Sequence, residues 1–524
     1  MAASVLARHP RTIALAAGLA SATGFAPLQL WPVTLACIAL LMALLARAAT
    51  RKDAFLLGWF FGLGHFTVGL NWIAHAFSFQ DAMPHWFGYG AVVLLSLYLA
   101  VYPALAALIT HWTVKSSHKG DEECEGVSAF FILIFAAAWV ATEWLRATLF
   151  TGFAWNPMGV IWLPAGVAVA AQWIGTYGLS ALVILAAGGV ALAARRQVRS
   201  ALAFILPVVA MGVAGLLNPV DAPPPSAPHI RIVQPNIAQQ DKYDAAFEAE
   251  NFSKLSTLSG KPGPHARLLF WPEAAIPAYL DMEPEWRQKL ALLMGPDDLL
   301  MTGGDKIYFK EEEKDGIYVG RTLTGANNSL WVMTANGRLI GRYDKAHLVP
   351  YGEYLPMRTI LSAIGLSRLV PGDVDFWPGP GPRTLPLPAA PDRPALKMGV
   401  QICYEIIFSG QVVDGKDRPH FLFNPSNDAW FGSWGPPQHL AQARLRAIEE
   451  GIPVIRSTPT GISAVVDAHG HILRSLPFQR AGFIDAFLPP PAARTLFSRT
   501  GNWAPMLLAL LLVGLAIATR RSRS

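Results

Sequence analysis

Hydrophobic positions are spread unevenly along the chain. Before residue 220 they run in long stretches, at about 12–28, 30–47, 54–77, 87–111, 128–147, 165–194 and 201–218, and another lies at 503–519. Each is near the roughly 20 residues that an apolar helix needs to cross a bilayer. Between 226 and 495 the pattern changes. HIRIVQPNI, ARLLFWPE, DLLMTGG, LKMGVQICYE, HFLFNPSND and IPVIRST are short apolar runs that stop at polar or turn residues, as buried strands do. NSLWVMTANGRLIGRYDK reads as a hairpin turning at Asn336-Gly337, and GISAVVDAHGHILRS as a second one. EPEWRQKLALLM and PPQHLAQARLRAIEEG carry helical spacing. The pattern predicts a polytopic α-helical membrane domain of seven spans over 1–219, an α/β domain over 226–495 and a C-terminal membrane helix over 503–520. The Pro-rich VDAPPPSAP (220–228) suits a stiff linker.

Composition agrees with this division. Charged residues make up 15% and hydrophobic residues 52% of the 524 positions, against about 25% charged in a soluble domain. The net charge of +6 does not point to nucleic acid, because the basic residues form short clusters beside the apolar runs instead of an aromatic-interleaved stripe. Arg8 and Arg11 precede the first span, Arg47, Arg51 and Lys52 follow the second, and Lys115 and Lys119 follow the fourth. Arg195, Arg196 and Arg199 follow the sixth, and Arg520, Arg521 and Arg523 end the chain. The opposite loops are almost free of Lys and Arg. By the positive-inside rule both termini are cytoplasmic and the 226–495 domain lies outside. The basic, apolar N-terminus is read as an uncleaved first helix, since further spans follow at once. Within the spans, Glu143 and Arg146 form an i, i+3 pair suited to a local ion pair or a lipid head-group contact. His65, Asn71 and His75 suit interhelical hydrogen bonds.

Three segments place an ionisable residue where an apolar run gives way to a turn, the usual place for sites in open α/β sheets. LLFWPEAAIP holds Glu273 between Pro272 and Pro277, as a rigid general base would be held. GRYDKAHLVPYGEYLP carries Lys345 and, eight residues on, Glu353, a lysine with a carboxylate to orient it. GVQICYEIIF, strand-like in composition, carries Cys403, Tyr404 and Glu405. With Cys37 in a span and Cys124 in a cytoplasmic loop, Cys403 is the sole thiol outside, so no disulfide forms within that domain. A thiol of pKa near 8.5 is mostly protonated at neutral pH. A glutamate can take its proton as it attacks a carbonyl, and the oxyanion then needs donors. Lys345 offers an ammonium, and the N–H after the nucleophile offers another. His347 and Cys403 do not form a papain-type signature.

In this order, WPEAAIP, YDKAHLVPYGEYLP, GVQICYEIIF, NPSNDAWFG and GPPQHLAQARLRAIEEGIPVIRSTPTGISAVVDAHG resemble the nitrilase superfamily. With seven leading spans and one trailing, the whole chain resembles the apolipoprotein N-acyltransferase family. The resemblance implies an αββα sandwich for 226–495 and a catalytic triad of Glu273 (general base), Lys345 (oxyanion stabiliser) and Cys403 (nucleophile). Glu353, Tyr404 and Glu405 are implied as supporting residues, Glu405 in shaping the pocket. VQPNIAQQDKYD carries Tyr243 where the family usually places Trp, and the NDAWFGSWGPP loop carries Trp430. Both are candidates for a lid or substrate contact. Gln234 and Asn236 fit the fixing of a strand end. Arg444 and Arg446 read as structural.

The activity implied is transfer of a phospholipid acyl chain, from phosphatidylethanolamine, to the α-amino group of a diacylglyceryl-cysteine apolipoprotein through a thioester acyl-enzyme. The implied place is the bacterial inner membrane with the catalytic domain periplasmic, and neither metal nor cofactor is implied. A membrane-tethered amidase would share the triad, but a small soluble substrate needs no such anchor. A transporter would need charged or broken helices along a pathway, and these spans carry few internal charges.

Overall fold

The structure is a computed structural model that describes residues 8–79, 84–117, 126–220, 222–242, 244–314, 317–363 and 374–521; Cys124 and Tyr243 lie outside these. The chain forms two compact units, one of Met1–Ala74, Trp86–Pro219 and Arg494–Ser524, the other of His75–His85 and Val220–Ala493.

In the first unit each apolar stretch becomes helical. The helices are Pro10–Ser21, Trp31–Leu45, Arg51–Gly69, Phe87–Leu99 followed by Val101–Ser117, Ala129–Thr148, Ala171–Ala194, Val198–Leu216 and Trp503–Arg521. Among the described residues, five spans are long and apolar enough to cross a membrane, and a sixth if Arg51–Gly69 and Ile73–Phe79 count as one. The first two stretches give helices of only 12 and 15 residues. The first tightens into a 3-10 turn at Ala22–Gly24, ahead of Pro27.

Glu143 and Arg146 are both buried, and their closest charged atoms are 3.9 Å apart. Their stronger partners lie elsewhere. Glu143 accepts from the Met158 N–H at 2.8 Å and the Ser180 hydroxyl at 2.5 Å. Arg146 donates to the Trp155 carbonyl at 2.9 Å. The pair thus satisfies polar groups of the segment after its own helix, which would be costly to leave unpaired in an apolar interior. His65 meets the Ser21 hydroxyl at 2.7 Å, the interhelical bond its position suggests.

The second unit contains two six-stranded sheets. One has the order β12-β1-β2-β3-β4-β5 and the other β11-β10-β9-β8-β7-β6. In the first, β1 (His229–Gln234), β2 (Arg267–Phe270) and β3 (Leu299–Lys314) run parallel. β4 (Ile317–Thr334), β5 (Leu339–Asp344) and β12 (Gly482–Phe487) extend it antiparallel. In the second, β7 (Leu396–Val400), β8 (Phe421–Pro425) and β9 (Val454–Ser457) are the parallel centre. β6 (Thr384–Leu387), β10 (Ser463–Val466) and β11 (Ile472–Leu476) flank it antiparallel. The hairpins at Asn336-Gly337 and between β10 and β11 form as their patterns predict.

The central strands are buried on both faces, which explains their continuous apolar runs. Phe270 of β2 points at β8, 4.7 Å from the Phe423 ring. The next-door Leu269 and Trp271 point the other way, into a core with Leu255, Trp286 and Leu290. Leu255 belongs to the helix Glu248–Ser259, and Trp286 and Leu290 to the helix Pro284–Ala291. The helix Gly435–Glu450 packs against β9 and the turn that carries Cys403. The result is the αββα sandwich.

The segment GVQICYEIIF is not a strand throughout. β7 ends at Val400, and Cys403–Ile407 is a 3-10 turn. Cys403 adopts φ of +52°, in the left-handed region that a pleated strand cannot accommodate. The β3–β4 ribbon is also longer than DLLMTGG suggests, with strands of 16 and 18 residues.

Candidate active site

The site grows from strand ends: Glu273 follows β2 and Cys403 follows β7, both parallel strands, and Lys345 follows the antiparallel β5. β2 ends at Phe270, and Trp271-Pro272-Glu273 continues along β3: the Trp271 N–H donates to the Met301 carbonyl at 2.9 Å and Gly303 N–H to the Pro272 carbonyl at 3.2 Å. Gly303 makes this approach possible. A Cβ there would sit 2.4 Å from the Ala274 nitrogen and 2.7 Å from the Glu273 Cα, both backbone atoms that cannot swing aside. Gly303→Ala is therefore expected to displace Glu273 and lower kcat about 100-fold, the scale of a 1 Å misplacement in an active site. The check is kcat alongside the melting temperature. A variant with unchanged kcat would show that this contact does not set the position of Glu273.

Glu273 and Lys345 are buried. Glu273 Oε1 accepts from Asn328 Nδ2 at 2.7 Å and lies 3.5 Å from Lys345 Nζ. Lys345 donates to Glu353 Oε1 at 2.9 Å, and Asn328 Nδ2 reaches that same oxygen at 3.0 Å. Glu353 Oε2 accepts from the Val349 N–H at 2.8 Å, which closes the Lys345 loop on itself. Burial works against the Lys345 charge, but Glu353, Glu273 and the Cys403 sulfur outweigh it and hold the ammonium above the usual lysine range. Among the described residues, no donor reaches Glu273 Oε2. One oxygen of this carboxylate is tied, and the other is open to a proton.

Cys403 is buried, and burial pushes its thiol well above the usual value, reinforced by Glu273. Lys345 and a hydrogen bond from the Asn427 N–H pull the other way without prevailing. A thiol so shifted stays protonated at neutral pH, and acting as a nucleophile would require its ionisation to be coupled to attack. Alkylation by neutral iodoacetamide is therefore expected to keep accelerating above about pH 10, where an ordinary thiol of pKa near 8.5 has levelled off. A plateau at or below pH 7 would instead mean a preformed thiolate.

Glu405, two residues from the thiol, is fully engaged elsewhere. It accepts from the Ile402 N–H at 2.7 Å, the Ala346 N–H at 2.7 Å, the His347 N–H at 3.2 Å and the Tyr343 hydroxyl at 2.8 Å. It thus bolts the Cys403 turn to the residues that follow Lys345. Burial pushes its pKa up to about 7, although every one of these partners donates and so favours the carboxylate. Tyr404 is buried with its ring 5.8 Å from His347 and 5.2 Å from Phe408, a packing role. Trp430 is half-buried and meets Phe79 edge-on at 5.5 Å. Tyr243 lies outside the described residues. Gln234 ties β1 to the chain after β9: its Oε1 accepts from the Ser463 N–H at 2.9 Å.

Several residues of the site had not been singled out in the sequence. Asn328 bridges the two glutamates, and Lys242 donates to the Glu273 carbonyl at 3.0 Å. Asn427 reaches the sulfur through its N–H and holds Gln239 through its side chain at 2.8 Å. For Asn427 the available signal is the polar run Asn-Pro-Ser-Asn-Asp, which begins in the last two residues of β8 and marks another strand end.

The apolipoprotein N-acyltransferase N-terminal domain family matches residues 17–189, and the carbon-nitrogen hydrolase family matches residues 229–496. The chain is 32% identical to an apolipoprotein N-acyltransferase of Rhodopseudomonas palustris over 533 residues, 97% of this chain and 95% of the relative. It is 34% identical to one of Bradyrhizobium diazoefficiens over 532 residues, 97% of this chain and 94% of the relative. Among solved structures, an amidase from Nesterenkonia sp. is 14% identical with a TM-score of 0.31, covering 51% of this chain and 92% of that one.

Proposed function

The chain belongs to the apolipoprotein N-acyltransferase family, and we propose that it works through a thioester on Cys403. Cys403 Sγ attacks the ester carbonyl of a membrane phospholipid while Glu273 takes the thiol proton. Lys345 stabilises the tetrahedral oxyanion. The ester C–O bond breaks, Glu273 returns the proton to the departing oxygen, and a lysophospholipid leaves. The α-amino group of the diacylglyceryl-cysteine then attacks the thioester. With a pKa near 7.7–8.0, a useful fraction of that amine is neutral. Glu273 accepts the proton lost as the C–N bond forms, and returns it to the leaving Cys403 sulfur. Glu353 orients Lys345, and Glu405 keeps the thiol turn and the lysine loop in register. Phosphatidylethanolamine is the proposed donor.

The observation that carries this reading is the buried Glu273–Lys345–Glu353 cluster, in which Glu273 and Lys345 act on a thiol held in a left-handed turn. Trp430 follows three residues after Asn427, whose N–H touches the sulfur. That position supports Trp430 as a lid or substrate contact. The distribution of Lys and Arg supports a periplasmic catalytic domain over 226–495, with both termini in the cytoplasm. A direct test uses vesicles of phosphatidylethanolamine carrying ¹³C-labelled acyl chains, the purified full chain and a diacylglyceryl-cysteine peptide. The peptide is expected to gain one labelled acyl group on its α-amine. Label released only as free fatty acid would mean hydrolysis and would overturn the reading.

A further inference from the structure

The thiol turn has a further buried support beside Glu273 and Lys345. His439 lies in the helix Gly435–Glu450 and is fully buried, as are Asp428 and Arg456. His439 Nε2 is 3.0 Å from the Cys403 carbonyl oxygen. A carbonyl only accepts, so Nε2 carries the proton. On the other side of the ring, Nδ1 lies 3.0 Å from Asp428 Oδ1 and 3.0 Å from Arg456 Nη2. Arg456 grips Asp428 at 2.7 and 2.6 Å and Ser426 Oγ at 3.0 Å, and it also bonds Asn424 Oδ1. Asn424 in turn donates to the Gln401 carbonyl at 2.6 Å. Gly461 backs Asp428 so closely that a Cβ would fall 2.4 Å from its Oδ2.

The chain therefore has its carbonyls held on both sides of residue 402, and one of the two grips ends on the nucleophile itself. An L-residue in the left-handed region stays there only where its surroundings over-determine it. We propose that His439, set by Asp428 and Arg456, is a positioning residue: its Nε2–H holds the Cys403 carbonyl so that the thiol stays in the left-handed turn facing Glu273 and Lys345. The ring reaches the Cys403 carbonyl, not its sulfur, so it takes no proton from the thiol. What it supplies is a donor of fixed direction.

This inference rests on Cys403 being the nucleophile. The test compares His439→Gln, whose amide keeps a donor near the position of Nε2, with His439→Met, of similar size and without a donor. Both are made in the full chain and assayed with phosphatidylethanolamine vesicles and the diacylglyceryl-cysteine peptide. His439→Met is expected to lose about 100-fold in kcat with KM changed less than about threefold, while His439→Gln stays within about tenfold of wild type. Equal activity of the two variants, whether both normal or both impaired, would overturn the proposal. If only His439→Gln folds, a loss of more than about tenfold overturns it and retention supports it. Mass analysis of the wild type in the same experiment separates the two ideas. Without an acyl adduct on wild-type Cys403, the thioester reading itself fails; with that adduct and indistinguishable variants, only the role of His439 does.

Discussion

Cys403→Ala is expected to accumulate as folded protein, to transfer no detectable acyl chain and to carry no acyl adduct. Cys403→Ser should likewise yield no isolable acyl-enzyme. The side chain is small and buried, so loss of one sulfur atom costs stability on the order of 1 kcal/mol or a little more, by analogy with other small truncations. The chemical loss is far larger, because no other group in the cluster is a competent nucleophile: Glu273, Glu353 and Lys345 are tied into one charge network. Loss of a nucleophile in a comparable acyl-transfer site costs about 10⁶-fold in kcat. A Cys403→Ala protein that still carried a normal acyl adduct would remove Cys403 from the mechanism.

Lys345→Met is expected to damage both stability and catalysis. The ammonium lies between Glu273 and Glu353, at 3.5 and 2.9 Å, and its removal leaves two buried carboxylates without their shared counter-charge. Breaking such a pair from one side costs about 3–5 kcal/mol. The melting temperature of the variant is therefore expected to fall below that of wild type at neutral pH. In catalysis, loss of one oxyanion donor costs about 10²–10³-fold in kcat. An unchanged melting temperature would mean that Lys345 does not neutralise the glutamates, and a kcat within tenfold of wild type would mean that it does not stabilise the oxyanion.

The sequence made the ends of this design readable and left the middle hidden. Glu273, Lys345 and Cys403 stand out because each interrupts an apolar run at a strand end, where a charged or reactive side chain has no packing role. Glu353 is readable for a related reason, through its spacing from Lys345. Asn328 is not readable, because it lies in the long β4 strand and acquires its role only when β3, β4 and the Lys345 loop come together. His439 is hidden in the same way: within an ordinary amphipathic helix pattern, nothing marks it as facing the carbonyl of a residue 36 positions earlier. The strand-like GVQICYEIIF misleads because its side chains are as apolar as those of a strand, while the backbone is captured by Glu405, Asn424 and His439. The membrane helices are the opposite case. Apolar length alone marks them, yet the short Pro10–Ser21 and Trp31–Leu45 helices show that an apolar run does not fix where a helix stops.

The proposed mechanism turns on a covalent intermediate, and the most direct measurement is peptide mapping by mass spectrometry of the purified wild-type chain after incubation with phosphatidylethanolamine alone. A single acyl group is expected on the peptide containing Cys403, removed by neutral hydroxylamine as a thioester is, and lost when the diacylglyceryl-cysteine peptide is added. An acyl group found on another residue, or transfer to the peptide with no acyl-Cys403 at any time, would contradict it.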